Sequence, residues 1–346
     1  MLYLLVVAFI LSLAVALGAS VWFTRSLEVL SDHFHFSPGL LSLLGALGAN
    51  IPNYIASLTA AIDGQAGLGI GIIIGSNIYN VAIILGVSTF AAPAARGIVL
   101  AQKEARDARL VGVIALAMML TTALAVAALA WRDSLPVSSP ALLPGTLALS
   151  MLNLLTLGCF GALSFHALQR KPDLSIPTNG EAEASSAGFD KTAYTRRRML
   201  SVTGEVIGAL GIALGAVVAV VQTGEAVATD IHLPAAVLSL IILAVATSLP
   251  NTVVAFTLAH AGRASASVEE VLSSNSVNVA LGVALPLLFW SGARDIRSLV
   301  FLDSPLMVVL TLIAWLCVRR QRISHLIGWL LMLTYIGWVA VHLFLR

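Results

Sequence analysis

Two stretches of this chain carry prolines, amides and hydroxyls where the surrounding sequence is almost wholly apolar. Residues 46–80 and 244–278 align without a gap at an offset of 198 positions. They share Pro52/Pro250, Asn53/Asn251, Thr59/Thr257, Gly64/Gly262, Ser76/Ser274, Asn77/Asn275 and Asn80/Asn278. Amides and hydroxyls buried in apolar surroundings are costly unless they are paired or line a wet cavity. Their oxygens can replace the water around an ion, and their N–H groups can hold a polar solute. Each proline removes a backbone donor and disfavours helical geometry in the residue before it. Each host helix is therefore expected to break near its middle and free carbonyl oxygens. A single proline kink healed by a hydroxyl is an ordinary feature of membrane helices. Two kinks at repeat-related positions, with amides beside both, point instead to a binding site at a repeat interface.

The elements that must position these residues are legible in the composition. The 346 residues are 59% hydrophobic and 10% charged, with mean hydropathy +0.96, whereas a soluble domain carries about a quarter charged residues. Apolar runs long enough to cross a bilayer, about 20 residues each, fall near 2–23, 36–61, 67–91, 109–131, 141–165, 202–222, 234–259, 268–292, 299–318 and 324–345. Short strands of alternating polarity, which a membrane barrel needs, are absent. The expected fold is an all-α membrane protein of ten transmembrane helices. With loops assigned alternately, fifteen Lys and Arg residues fall on one side and only Arg132, Arg294, Arg297 and Arg346 on the other. The positive-inside rule puts the first side in the cytoplasm and both termini outside. The setting implied is an integral, multi-pass protein of the plasma (inner) membrane. A signal peptide at the N-terminus is disfavoured, because MLYLL has no basic start and no small-residue cleavage site precedes Arg25.

A polar segment at 169–198, with Pro172, Pro177, Asn179, Gly180 and Arg196–Arg198, has the composition of a linker. It divides the chain into a first repeat, 1–168, and a second, 199–346, of five helices each. Five is odd, so the second enters the membrane inverted, the layout of alternating-access carriers.

Other chemistry is disfavoured. Cys159 and Cys317 sit inside spans and read as apolar fillers. His33, His35, His232 and His260 show no metal-binding spacing. No paired-carboxylate or Ser–His–Asp set lies within the spans, so no enzyme is expected. The net charge of +2 implies no nucleic-acid partner. The partners implied are membrane lipid and a small ion or solute, with no cofactor; the oligomeric state is open. Trp22, Trp131, Trp290 and Trp338 fall near span ends, as an interfacial belt would place them. Gly67, Gly69, Gly71 and Gly75 suggest close helix packing in the third span.

The paired stretches resemble the signatures of the Ca²⁺/cation antiporter superfamily, the sodium/calcium exchanger fold. Ala246-Thr247-Ser248-Leu249-Pro250-Asn251 is similar to its GTSLPE signature, with Gly48-Ala49-Asn50-Ile51-Pro52-Asn53 a looser copy. Gly75-Ser76-Asn77-Ile78-Tyr79-Asn80 is similar to GSNIFN, with Ser273-Ser274-Asn275-Ser276-Val277-Asn278 a looser copy. The resemblance implies cation antiport by alternating access, the first and sixth helices moving against a core. It places ion ligands at Asn53, Ser76, Asn80, Asn251, Ser274 and Asn278, with Asn50, Thr247 and Ser248 beside them. Ala46, Ala49 and Ala244 offer only carbonyls. Asn53, Asn80, Asn251 and Asn278 are the candidate cation ligands.

One departure matters for substrate. Both signature glutamates are amides here. Ca²⁺ prefers six to eight oxygens with carboxylates among them, and a divalent ion held by neutral dipoles leaves its desolvation cost uncompensated. A monovalent cation, Na⁺ or H⁺, is the expected partner, and Ca²⁺ is disfavoured. Because amides also donate, an uncharged solute or an anion, carried or sensed on the same fold, stays open. Glu269 and Glu270, expected to open the eighth span about one turn before Ser274, replace Gly71 and Ile72 of the first repeat. They read either as coupling residues of an inner vestibule or as acids favouring a helix N-terminus. Glu205 is expected to snorkel or to pair with Arg196–Arg198, and Asp63 to be solvated.

Overall fold

The computed structural model describes residues 2–34, 46–93, 97–100, 102–136, 138–169, 196–234, 237–260, 262–289 and 296–344. Apart from one short two-stranded ladder, the regular elements there are helices: α1 (Leu2–Phe34), α2 (Ile51–Ile62), α3 (Ala66–Ala91), α4 (Gln102–Asp133) and α5 (Leu142–Gln169). The second half supplies α6 (Arg196–Asp230), α7 (Leu238–His260), α8 (Ala264–Leu288), α9 (Leu299–Arg319) and α10 (His325–Phe344). Among the described residues, nine helices are long and apolar enough to span a bilayer, and α2 is a shorter apolar helix. Most of the stretch expected to open the second span, 36–45, lies outside the described residues, as do Trp290 and 170–195 of the expected linker.

Burial separates two classes of helix. In α3 and α8, 89% and 78% of the most apolar window is buried, against 17% in α1 and 22% in α10. Helices that are apolar all round are stable on either side of this divide, because lipid solvates the outer ones as well as protein solvates the inner ones. The inner set, α2, α3, α7 and α8, carries both polar stretches. α1 and α6 pack together at the rim and touch α2 and α7. The ladder pairs β1 (Ile98–Val99) with β2 (Arg322–Ile323) antiparallel, so the α3–α4 and α9–α10 connections lie at one end of the bundle.

Glycines set the close approach of α3 to α7. A Cβ on Gly71 would collide with the Ser239 side chain, and one on Gly75 with the Leu240 carbonyl and the Ala244 Cβ. The second-repeat counterpart of Gly75 is Ser273, so this intimacy is one-sided. Gly64 and Gly262 take left-handed φ of 78° and 75° at repeat-related turns; the missing Cβ makes that conformation inexpensive.

The expected helix breaks occur in only one repeat. Pro52 lies at the start of α2, directly after a turn at Asn50 (φ −95°, ψ 1°). Pro250 lies inside an unbroken helical stretch, Ala244–His260, correcting the expectation of a mid-helix break there. In α7 the irregularity falls earlier, as the π-helical turns Leu238–Leu243, where α3 presses in. Two further π segments, Asn80–Leu85 and Ala280–Ala284, lie at or just after the last motif asparagine of each repeat. Such segments are rare and concentrate at functional sites.

Two more expectations change. Trp338 is no part of an interfacial belt: it is 3% exposed and turned into the core. Glu269 and Glu270 do not open their helix, because α8 begins at Ala264. That puts both beyond the first turn, where the helix dipole is felt.

Candidate functional site

The two motif copies meet in the buried centre and grip each other reciprocally. Asn77 Nδ2 donates to the Asn275 carbonyl (3.4 Å), and Asn275 Nδ2 donates to the Asn77 carbonyl (3.2 Å). Asn80 Nδ2 donates to Asn275 Oδ1 (2.9 Å), and Asn278 Nδ2 donates to Asn77 Oδ1 (3.0 Å). Each contact has its mate with the repeats exchanged, the mark of a local two-fold relation. All four side chains are fully buried.

This ring settles which way the outer amides face. A backbone carbonyl only accepts, so Asn77 and Asn275 must turn their Nδ2 groups toward it. Their Oδ1 atoms are then acceptors, which draw in the Nδ2 groups of Asn80 and Asn278. Asn80 Oδ1 and Asn278 Oδ1 are left facing away, both buried and without a hydrogen-bond partner.

The same logic runs through a second network. Asn50 Nδ2 donates to the Ala46 carbonyl (2.7 Å) and to Ser274 Oγ (3.1 Å). Its Oδ1 therefore accepts, from Asn251 Nδ2 at 2.8 Å and from Asn53 Nδ2 at 3.3 Å. Ser76 Oγ lies within donating reach of Asn53 Oδ1 (3.1 Å) and the Ala244 carbonyl (3.2 Å). Asn251 Oδ1 and Ser248 Oγ remain buried and unpartnered. Thus Asn50, Asn53, Ser76, Asn251 and Ser274 form one hydrogen-bonded cluster, and Asn80 and Asn278 belong to the neighbouring ring. Thr247 stands apart from both, its hydroxyl bonding back to the Leu243 carbonyl at 2.7 Å.

Buried polar groups are normally satisfied. Here three amide oxygens and a hydroxyl are left over, and all the amide N–H donors of these asparagines have found acceptors on at least one hydrogen. The centre therefore has unpartnered oxygens while each of its amide nitrogens already donates to at least one acceptor, a lining that leans toward a positive ion. No carboxylate belongs to the asparagine ring, and among the described residues no group of three or more His, Cys, Asp or Glu is placed to hold a metal.

Sequence reasoning noticed the Asn77/Asn275 pair without giving it a role. These residues prove to be the hub of the ring. The available signal was their position at the centre of both Ser-Asn-x-x-Asn copies, where an amide flanked by two ligand candidates must itself be fastened.

One carboxylate reaches the cluster from outside. Ser274 Oγ donates to Glu270 Oε1 at 2.8 Å, extending the chain Asn50–Ser274–Glu270 into a cavity of about 210 Å³ lined by Ala46, His166, Arg263, Glu269, Glu270 and Ser273 among others. On the other side of the centre the space between Ser57 and Gly282 amounts to about 10 Å³. There Ser57 Oγ donates to the Gly282 carbonyl at 2.5 Å.

Apolar spans around a two-fold, oxygen-rich centre define a membrane carrier and not an enzyme. The chain belongs to the sodium/calcium exchanger protein family, whose pattern it matches over residues 4–160 and 200–344. It is 35% identical over 112 residues to CaxA of Alkalimonas amylolytica, a proposed antiporter; the match covers 32% of this chain and 34% of CaxA. With the inner membrane protein YrbG of Escherichia coli K12 it shares 23% identity over 320 residues, 91% of this chain and 89% of YrbG. Among solved structures, the sodium-calcium exchanger NCX_Mj superposes with a TM-score of 0.63 at 20% identity, covering 98% of this chain and 99% of that one. YfkE superposes with a TM-score of 0.67 at 17% identity, covering 98% and 92%. The fold is therefore that of the exchanger class.

Proposed function

We propose that this protein is a cation antiporter working by alternating access. Its central site is formed by Asn50, Asn53, Ser76, Asn80, Ser248, Asn251, Ser274 and Asn278. The reading rests on one observation: with the amide nitrogens of Asn77, Asn275 and Asn50 held on backbone carbonyls, the buried side-chain oxygens of Asn80, Asn251 and Asn278 are left without hydrogen-bond partners. Each of these amide nitrogens already donates to an acceptor whereas the three oxygens are unpaired, which favours a cation over an anion. Family membership and the antiport proposed for CaxA support exchange as the mode of transport.

Neutral oxygens favour a monovalent ion, with Na⁺ or H⁺ as one partner and Ca²⁺ disfavoured, since a divalent ion in a low-dielectric site needs compensating negative charge. Thr247 contributes through its carbonyl in this reading, because its hydroxyl is engaged. Glu270, joined to the cluster through Ser274, attracts cations into the cavity on the side we assign to the cytoplasm; Glu269 lines the same space. The basic loops support that orientation, with both termini outside and the protein in the plasma membrane. The peripheral helices α1 and α6 are the moving pair.

The test is uptake of labelled sodium into proteoliposomes. Asn251→Ala removes one inward oxygen and should lower flux at least tenfold. Restoring glutamate at both Asn53 and Asn251 should raise divalent-ion binding. Unaltered sodium flux in Asn251→Ala and in Asn80→Ala would remove the site assignment.

A further inference from the structure

At the end of the bundle that the basic loops assign to the cytoplasm, the first turns of α4 meet the last turns of α9. Gly112 makes the meeting close, since a Cβ there would stand 2.8 Å from Trp315 Cδ1. One turn before Gly112 lies Arg109, and one turn after Trp315 lies Arg319. Arg109 Nη2 donates to the Arg319 carbonyl at 3.0 Å, and the Arg319 guanidinium stands 5.0 Å from the centre of the Trp315 ring. The two guanidinium groups thus share one seam, near the limit of both apolar spans. Arg320 and Arg322 follow, both exposed, and Arg322 sits opposite Val99 in the strand ladder. None of these four arginines is paired with a carboxylate among the described residues.

Two buried donors in this seam have no acceptor, Arg109 Nε and Trp315 Nε1. That reverses the central site, where the atoms left over are oxygens. A buried indole N–H usually finds a partner, and a guanidinium that gives one hydrogen to a carbonyl keeps the rest of its fork to offer. The positive-inside rule accounts for the charge at this end. It does not account for two buried N–H groups left open beside that charge.

We propose that this seam binds the phosphate group of an anionic phospholipid from the cytoplasmic leaflet. Phosphate oxygens match the forks of Arg109 and Arg319 with paired N–H bonds, and they give Arg109 Nε and Trp315 Nε1 the acceptors that the protein does not. Arg320 and Arg322 add attraction toward an anionic surface. A free phosphate ion has the same oxygens, but the surroundings favour a lipid. Leu110 and Val113 on α4, with Leu312 and Leu316 on α9, are 37–46% exposed and offer acyl chains an apolar path beside the headgroup. α4 and α9 each set a methionine sulfur against Asn77 Nδ2, Met119 at 3.5 Å and Met307 at 3.6 Å. A lipid that ties these two helices together therefore braces the central ring.

Thermal unfolding of the purified full-length protein in a neutral detergent, with phosphatidylglycerol or phosphatidylcholine added, tests this. Phosphatidylglycerol should raise the unfolding temperature to a plateau, and phosphatidylcholine, whose headgroup has no net charge, should raise it far less. Arg109→Gln and Arg319→Gln should each increase the phosphatidylglycerol concentration at half effect about fivefold. Arg109→Lys keeps the charge without the Nε donor and should still lose about threefold. Trp315→Phe keeps a ring and removes the N–H, again with a loss of about threefold. Arg25→Gln removes an exposed arginine on α1 at the same end and should leave the half-effect concentration unchanged. The proposal is overturned by the absence of a plateau, by an equal loss in Arg25→Gln, by full retention in both Arg109→Lys and Trp315→Phe, or by a shift that inorganic phosphate reproduces alone. Trp315→Phe is the mildest of these changes and keeps the test decisive if an arginine variant misfolds.

Discussion

The two copies of the polar motif agree in their Ser-Asn-x-x-Asn halves and diverge in their proline halves. Around Asn77 and Asn275 each of the four amide bonds between the repeats has a mate. Around the prolines, Asn50 holds four side-chain hydrogen bonds at the heart of a cluster, whereas its counterpart Ser248 leaves its hydroxyl unpartnered. A hydroxyl pair shows the same drift. The first repeat has Ser57 facing Gly69, and the second has Ala255 facing Ser267, so the hydroxyl has changed helices. Ser57 bonds across to Gly282 and Ser267 to Ala255. Symmetry is kept where one repeat fastens the other, and relaxed where each side of the membrane is served separately. Exchange between two unlike compartments has use for that relaxation.

The comparison can be broken most severely at Asn50. Replacing it by Ala leaves the Asn53 and Asn251 amide hydrogens without their acceptor, and should lower stability by about 2–4 kcal/mol while abolishing flux. Ser248→Ala removes no hydrogen bond and should stay within about 0.5 kcal/mol. Thermal unfolding of both purified variants checks the contrast, and equal losses would contradict it.

A middle-sized effect sharpens the symmetric half. Asn77→Ala and Asn275→Ala should each cost about 1–3 kcal/mol and match one another closely. The double variant should show coupling of about 1 kcal/mol or more, since the two side chains share a ring. Unequal single costs would mean that the ring belongs to one repeat.

The smallest effect is expected at Glu270, which faces Ile72 in the repeat alignment. Glu270→Gln keeps the hydrogen bond from Ser274 and removes only charge. Apparent affinity for the cation, measured by flux from the cytoplasmic side, should fall a few-fold at low ionic strength and less in high salt, because screening weakens attraction along a wet path. An effect independent of salt would assign Glu270 a ligand role in place of an attractive one.

Much of this was readable before any coordinates. Lipid imposes helices on an apolar chain, so spans followed from length and hydropathy. The repeated polar set announced a centre, because such groups are not kept idle in a bilayer. What stayed hidden involved choices that sequence leaves degenerate. Pro52 and Pro250 carry the same local instruction, yet only the first interrupts its helix, since α3 presses its glycines into α7 and displaces the irregularity to Leu238–Leu243. Trp338 looked interfacial by its place near a span end, and nothing in that place predicts a partner 35 residues earlier.

The residues alone determined that this is a membrane protein of the exchanger family with amides where the signature has acids. An amide, however, offers an oxygen and two hydrogens on the same plane, and its own neighbours do not choose between them. For Asn77 and Asn275 a backbone carbonyl of the opposite repeat made that choice, and the amides that bond to them were left with unpartnered oxygens. Tertiary structure likewise joined Arg109 to the end of α9, because a charge takes its meaning from whichever helix happens to lie beside it.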